Sequence, residues 1–301
     1  MKIKFWGVRG SVPTPGKSTV RYGGNTPCVE LRPDDDKLFI LDCGTGVREL
    51  GMSLMGRAAG KPIKARVFLS HTHWDHLHGF PFFVPAFIPG NAFTIMGPVD
   101  FDQSLQEIFQ GQMKYQYFPV RLSEMASTID FQELREGEYT FDGVSVKARY
   151  LNHPVLVLGY RFEYQGKCVV YATDTEPHRN PFAGGEASDG VTEADIAEAE
   201  EICRERRQSL VEFMRNADLV IMDGQYTREE YPAKIGWGHT PMEEALETAI
   251  QAGVSTLALF HHDPTRSDEQ LVEKVKLLKE LIPPGCKTRV LAAWEGLEVE
   301  V

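Results

Sequence analysis

A chain of 301 residues, 42% hydrophobic and 25% charged, has the balance of a globular protein with a sizeable core, which excludes a disordered or fibrous function. Its formal charge of −11 argues against a long polyanionic partner, because nucleic-acid affinity comes largely from Lys and Arg neutralising phosphates, so no long nucleic acid is expected. No apolar run approaches the roughly 20 residues that span a bilayer, and Met1–Phe5 leads into a strand-like segment instead of a signal-peptide core, so no membrane contact and a cytoplasmic location are expected.

In chain order, β-branched and aromatic runs predict strands over residues 3–8, 37–42, 66–70, 143–151, 160–164, 168–173, 219–223, 256–260 and 289–301. Apolar periodicity predicts helices over 47–55, 104–110, 193–216, 241–252 and 268–281. Thr240-Pro241-Met242-Glu243 reads as a capped helix start with Thr240 as N-cap and Pro241 at the first helical position, and Ser267-Asp268-Glu269-Gln270 repeats that logic. The mixture predicts one domain over 1–301 with insertions near 91–142, which could cover a site, and near 178–216, a charged, exposed helix. Cys28, Cys43, Cys168, Cys203 and Cys286 are odd in number and lack a CxxC, so they read as reduced core residues.

The strand over 66–70 runs directly into His71-Thr72-His73-Trp74-Asp75-His76. Residues two apart in an extended segment point the same way, so His71 and His73 can bind one ion, and after a turn Asp75 and His76 can face a second. Imidazoles with a carboxylate suit zinc, with manganese and iron as alternatives. Three further segments place a ligand type at a strand end: His153, Asp174, and the adjacent pair His261 and His262.

With these residues the chain resembles the metallo-β-lactamase superfamily, whose His-x-His-x-Asp-His signature is met by residues 71–76. The resemblance implies an α/β (α+β) fold, a four-layer αββα sandwich with its site at one edge of two sheets. It implies His71, His73 and His153 as ligands of a first divalent metal, Asp75, His76 and His261 as ligands of a second, and Asp174 as a bridge. His261 is preferred to His262 because Leu257, Leu259 and His261 alternate onto one face and match the family's Leu-x-Leu-x-His spacing. Two ions about 3.5–4 Å apart would hold a hydroxide as the nucleophile.

Asp223 at a strand end and His239 in Gly236-Trp237-Gly238-His239-Thr240-Pro241 are similar to the acid dyad of the ribonuclease Z-like branch, with Asp in place of that branch's Glu and no Ser after the histidine. The expected catalytic residues are therefore Asp75, Asp223 and His239, the last as general acid. In that branch transfer-RNA processing relies on an arm inserted between the ligands matching His153 and Asp174, and only 174 − 153 = 21 positions separate them here. The segments 7–13 and 22–26 resemble those of cyclic-nucleotide phosphodiesterases. The expected activity is thus hydrolysis of small phosphodiesters, above all 3′,5′-cyclic nucleotides. The alternatives are a lactone or thioester hydrolase, a tRNA 3′-processing endonuclease, and a metal-binding sensor without turnover. The aromatic run over 80–89 reads as core or homodimer contact before base stacking.

Overall fold

The structure is a computed structural model and describes residues 1–99, 102–182 and 191–301. The chain opens with β1 (Lys2–Gly7), β2 (Cys28–Arg32), β3 (Phe39–Leu41), β4 (Lys64–Phe68), β5 (Ala92–Pro98) and β6 (Thr128–Leu134). It continues with β7 (Gly137–Phe141), β8 (Val144–Leu151), β9 (Val157–Tyr164), β10 (Lys167–Ala172), β11 (Leu219–Asp223), β12 (Thr256–Phe260), β13 (Arg289–Ala292) and β14 (Glu298–Glu300). These form two sheets, ordered β14-β1-β2-β3-β4-β5-β6 and β13-β12-β11-β10-β9-β8-β7.

Between the sheets lies a core that includes Phe5, Phe39, Phe68, Tyr160, Phe162, Tyr171 and Phe260. The helices are α1 (Gly46–Ala58), the single turn α2 (Trp74–Leu77), α3 (Leu105–Gln112), α4 (Glu193–Met214), α5 (Met242–Gln251) and α6 (Asp268–Glu280). Leu50 of α1 and Phe109 of α3 pack on the outer face of the first sheet, and Phe213 of α4, Leu246 of α5 and Leu271 of α6 on that of the second. The result is the expected αββα sandwich. Strands β11 and β12 are buried along their whole length because both faces are covered, which is why they read as unbroken apolar runs. No described helix is long and apolar enough to cross a membrane.

Several sequence expectations need adjustment. The stretch 91–142 shows weak periodicity yet supplies β5 and β6 to the first sheet and β7 to the second; residues 100–101 within it, and 183–190 within 178–216, lie outside the described residues. The single strand expected over 289–301 is two, β13 and β14, which belong to opposite sheets because the chain crosses over at Trp294–Gly296. Helix α5 starts one residue later than expected, with Pro241 as its unassisted N-cap, because the Thr240 hydroxyl is spent on the carbonyl of Thr175 at 2.5 Å. The Ser267 cap forms as expected, closed by Gln270. All five cysteines are free thiols, four of them buried.

Strands β3 and β4 are parallel, as are β10, β11 and β12, so their carboxyl ends gather at one edge of the sandwich. Ligand-bearing loops collect at such ends because strands buried on both faces leave only their termini accessible.

Candidate metal centre

Each chemical side chain sits where a strand stops. Asp42 follows β3, His71 follows β4 by three residues, Asp174 follows β10 by two, Asp223 ends β11 and His261 follows β12. Asp42, Asp174 and His261 adopt left-handed backbone conformations, with φ of 60°, 49° and 56°. Such a conformation costs a non-glycine residue on the order of 1 kcal/mol and is held by its surroundings, here by the burial and bonding of all three side chains. It also explains His261. Leu257 and Leu259 face the helices of the second sheet, and the left-handed turn, not strand alternation, brings His261 into the cleft while His262 turns away to the carbonyl of Ala293 at 2.8 Å.

Two groups of ligand atoms result, His71, His73 and His153 in one and Asp75, His76 and His261 in the other, and Asp174 reaches both. His153 Nε2 and His73 Nδ1 stand 3.3 Å apart. His76 Nε2 is 3.3 Å from His261 Nε2 and 3.3 Å from Asp174, and Asp75 Oδ2 is 3.1 Å from His261 Nε2. The outward nitrogens are fixed by other groups. His76 Nδ1 meets Asp42 at 2.7 Å, His71 Nδ1 meets Ser70 at 3.0 Å, His261 Nδ1 meets Gln225 at 3.0 Å, and His153 Nδ1 donates to the carbonyl of Gly238 at 2.9 Å. A second group that fixes the ring and tautomer of a histidine is the usual support of a ligating imidazole.

These residues fit divalent cations on an observation independent of the motif. His71 Nε2 is buried and has no hydrogen-bond partner among the described residues, and an unpaired buried polar atom costs about 1–3 kcal/mol unless something occupies its lone pair. Burial, with His76 adding to it, holds the His71 pKa well below its ordinary value, so that lone pair is free. Burial pushes the Asp75 and Asp174 carboxyls up, but His76 and His261 around them hold both well below the usual carboxylate range. The donors are therefore anionic oxygen from Asp75 and Asp174 with neutral nitrogen from His71, types expected of zinc, manganese or iron. For His76 burial lowers the pKa, but Asp174, Asp75 and Asp42 outweigh it and raise it well above its ordinary value, so that ring would give up a proton on taking a cation.

Asp223 and His239 are also brought together: Asp223 Oδ2 accepts from His239 Nδ1 at 2.8 Å, and the His239 ring stacks on His261 with centroids 4.8 Å apart. Burial lowers the His239 pKa, but the charge and hydrogen bond of Asp223 outweigh it and raise the value to about 9. Gly238, at φ +84°, lies so close to the His153 ring that a Cβ would stand 2.1 Å from Nδ1, so the segment before His239 requires glycine. A cleft of about 460 Å³ opens onto this arrangement, lined by Ser11, Thr72, His73, Trp74, Asp75, Asp174, His239 and His261.

Some residues escaped the sequence reading. Asp42 binds Ser70, His76 and Tyr171 at once, and its only sequence signal is a carboxylate at a strand end. Glu176 accepts from Tyr231, Gly236 and Gly238 and so shapes the loop that carries His239; nothing in its sequence context marks it, nor Gln225. Conversely, Phe80, Phe83 and Ala86 of the aromatic run are core residues, and Phe82 is exposed against Phe118.

Residues 38–262 match the family model described as Beta-lactamase superfamily domain. A ribonuclease Z of Synechococcus sp. strain CC9311 is 25% identical over 310 residues, 93% of each chain. Among solved structures, the metallo-beta-lactamase fold protein YhfI from Bacillus subtilis aligns with a TM-score of 0.66 at 20% identity over 100% of this chain and 99% of its own. The short form of human tRNase Z aligns with 0.63 at 17% identity over 100% and 99%. The expectation of no long nucleic-acid partner is overturned by these comparisons, because proteins named as RNA-processing enzymes align along nearly the whole chain. Net charge sums the entire surface, whereas bound cations set the field at a cleft, so a value of −11 does not exclude RNA.

Proposed function

The chain belongs to the Beta-lactamase superfamily domain family of metal-dependent hydrolases, and on that premise we propose that it is a phosphodiesterase acting on nucleotide substrates. The observation that carries this reading is the His239–Asp223 pair beside the ligand cluster. A ribose oxygen is a poor leaving group, and a positioned acid is worth roughly 10²–10⁴ in rate when such an oxygen departs. Asp223 accepts from Nδ1 and so keeps the Nε2 of His239 free to hold a proton and pass it to that oxygen. A carbon-ester hydrolase has less use for such an acid.

Two ions, zinc first and manganese or iron as alternatives, would be held by His71, His73 and His153, by Asp75, His76 and His261, and by Asp174 between them. Bound there, they supply Lewis acidity toward a phosphoryl oxygen and acidify a coordinated water. The protein's own part is to aim the imidazoles through Asp42, Ser70, Gln225 and Gly238 and to hold the His239 proton at the cleft through Asp223.

The substrate reading favoured by the relatives is an RNA chain, as the names ribonuclease Z and tRNase Z give for those proteins. A second reading, 3′,5′-cyclic nucleotides, is favoured by the segment between His153 and Asp174, which β9, a turn at Gln165–Gly166 and β10 consume without an extended arm. The deciding experiment is a metal-supplemented screen of a transfer-RNA precursor with a 3′ trailer, cyclic nucleotides, linear diesters, lactones and thioesters. Efficient hydrolysis of a lactone or thioester with every phosphodiester left intact would sink the proposal.

A further inference from the structure

Trp74 is 82% exposed, the greatest exposure among the large hydrophobic residues described, and it sits between His73 and Asp75 on the wall of the cleft. Its backbone is fixed as the first residue of α2, where its carbonyl accepts from the His78 N–H at 2.8 Å. Its ring is not engaged: among the described residues the indole has no aromatic or cationic neighbour and its N–H has no acceptor. Every other side chain lining the cleft is polar or ionisable. An indole held in water by a rigid backbone, beside groups suited to a phosphodiester, is a flat apolar surface without an internal partner.

We propose that Trp74 is the stacking platform for a nucleobase of the substrate, adjoining the phosphodiester held at the His/Asp cluster. The inference rests on the phosphodiesterase reading above and names the part of the substrate that the cluster does not touch. A base fits because its π-face matches the indole, the one flat apolar surface among the side chains lining the cleft, and stacking tolerates any base. The base comes either from an RNA chain or from a mononucleotide.

The test uses the metal-loaded full chain, wild type, Trp74→Leu and Trp74→Phe, on two pairs of substrates. One pair is an RNA with a 3′ trailer and the same RNA with abasic ribose flanking the cleaved bond. The other is 3′,5′-cyclic AMP and base-free ribose 3′,5′-cyclic phosphate. Trp74→Leu is expected to lower kcat/KM on the base-bearing member of the cleaved pair by roughly 5- to 150-fold, the range for one stacked base, mainly through KM. The base-free member is expected to be cleaved alike by all three proteins, and Trp74→Phe to retain most of the wild-type preference. Which pair shows the discrimination identifies the source of the base. Equal losses on both members of that pair, or no loss on either, would overturn the proposal.

A readout without turnover separates it from the phosphodiesterase reading. Adenosine 5′-monophosphate, but not ribose 5-phosphate, is expected to quench wild-type tryptophan emission, and Trp74→Phe is expected to lose that quenching. If neither pair is cleaved, the phosphodiesterase reading fails by itself, and equal quenching by the two ligands then overturns the role of Trp74.

Discussion

The carboxylate of Asp42 holds His76 Nδ1 at 2.7 Å while also accepting from the Tyr171 hydroxyl at 2.6 Å and the Ser70 backbone N–H at 2.7 Å. One buried acid on the first sheet thereby ties His76 to Tyr171 of the second. Asp42→Asn keeps the shape but cannot accept from every one of these donors, so His76 loses its fixed orientation. Metal affinity is expected to fall roughly 10- to 100-fold, the usual effect of removing such a support. Competition with a chromophoric chelator measures it, and unchanged affinity in a folded variant would refute the role.

Two ions per chain are expected from the seven converging side chains that could ligate them. Elemental analysis of metal-replete protein checks the stoichiometry, and a His73→Ala, Asp174→Ala double variant should lose most of the metal. A wild-type value well below one ion per chain contradicts the two-ion site.

Replacing His239 with alanine should leave both ions in place and remove far more activity from a substrate with a ribose leaving group than from a nitrophenyl phosphodiester. The expected loss on the former is about 10²–10⁴, because nitrophenolate departs with little help from an acid. Equal losses on the two substrates would show that His239 positions substrate instead of donating a proton.

The same pair predicts a pH dependence in chelator-treated protein. The pKa of His239, raised in the fold to about 9 against an ordinary value of 6.5, means the protonated ring is bound more tightly in the folded state. Its stabilisation is fully present below pH 6.5 and is lost as pH rises through about 9. Denaturant titrations of wild type and His239→Gln should therefore differ most in the acidic arm of that window and converge above it. A gap that widens with rising pH would contradict the assignment.

Away from the site, Glu30 is 2% exposed and accepts from Arg32, Arg57 and the indole of Trp6. Burial pushes its carboxyl up, but the hydrogen bonds and charges of Arg57 and Arg32 hold it below its ordinary value of 4.5. A depressed carboxyl stabilises the fold above its unfolded pKa and loses that contribution as pH falls through the folded one. Glu30→Gln should cost about 1–3 kcal/mol near neutral pH, with the difference from wild type shrinking below pH 4.5. Unfolding curves at several pH values check both the size and the trend.

The sequence by itself determined what depends on local order: the candidate ligands of residues 71–76 follow a buried strand directly, and Asp174, Asp223 and His261 are chemical residues at the ends of apolar runs. Those runs are legible because strands covered on both faces must be apolar throughout. Tertiary structure decided what depends on partners distant in the chain. Asp42, Gln225 and Glu176 gain their roles only when loops from separate strands meet, and Trp74 can be known as exposed only once the cleft around it exists. It also decided the half-polar strands β6 and β7, whose residues alternate with water on one side and whose pairing comes from neighbours up to one end of the sheet, so their periodicity alone is weak. Even the placing of His261 in the cleft while His262 turns away is made by a left-handed residue that strand alternation does not foresee, held there because its imidazole is bonded from Gln225 on one side and meets Asp75 on the other.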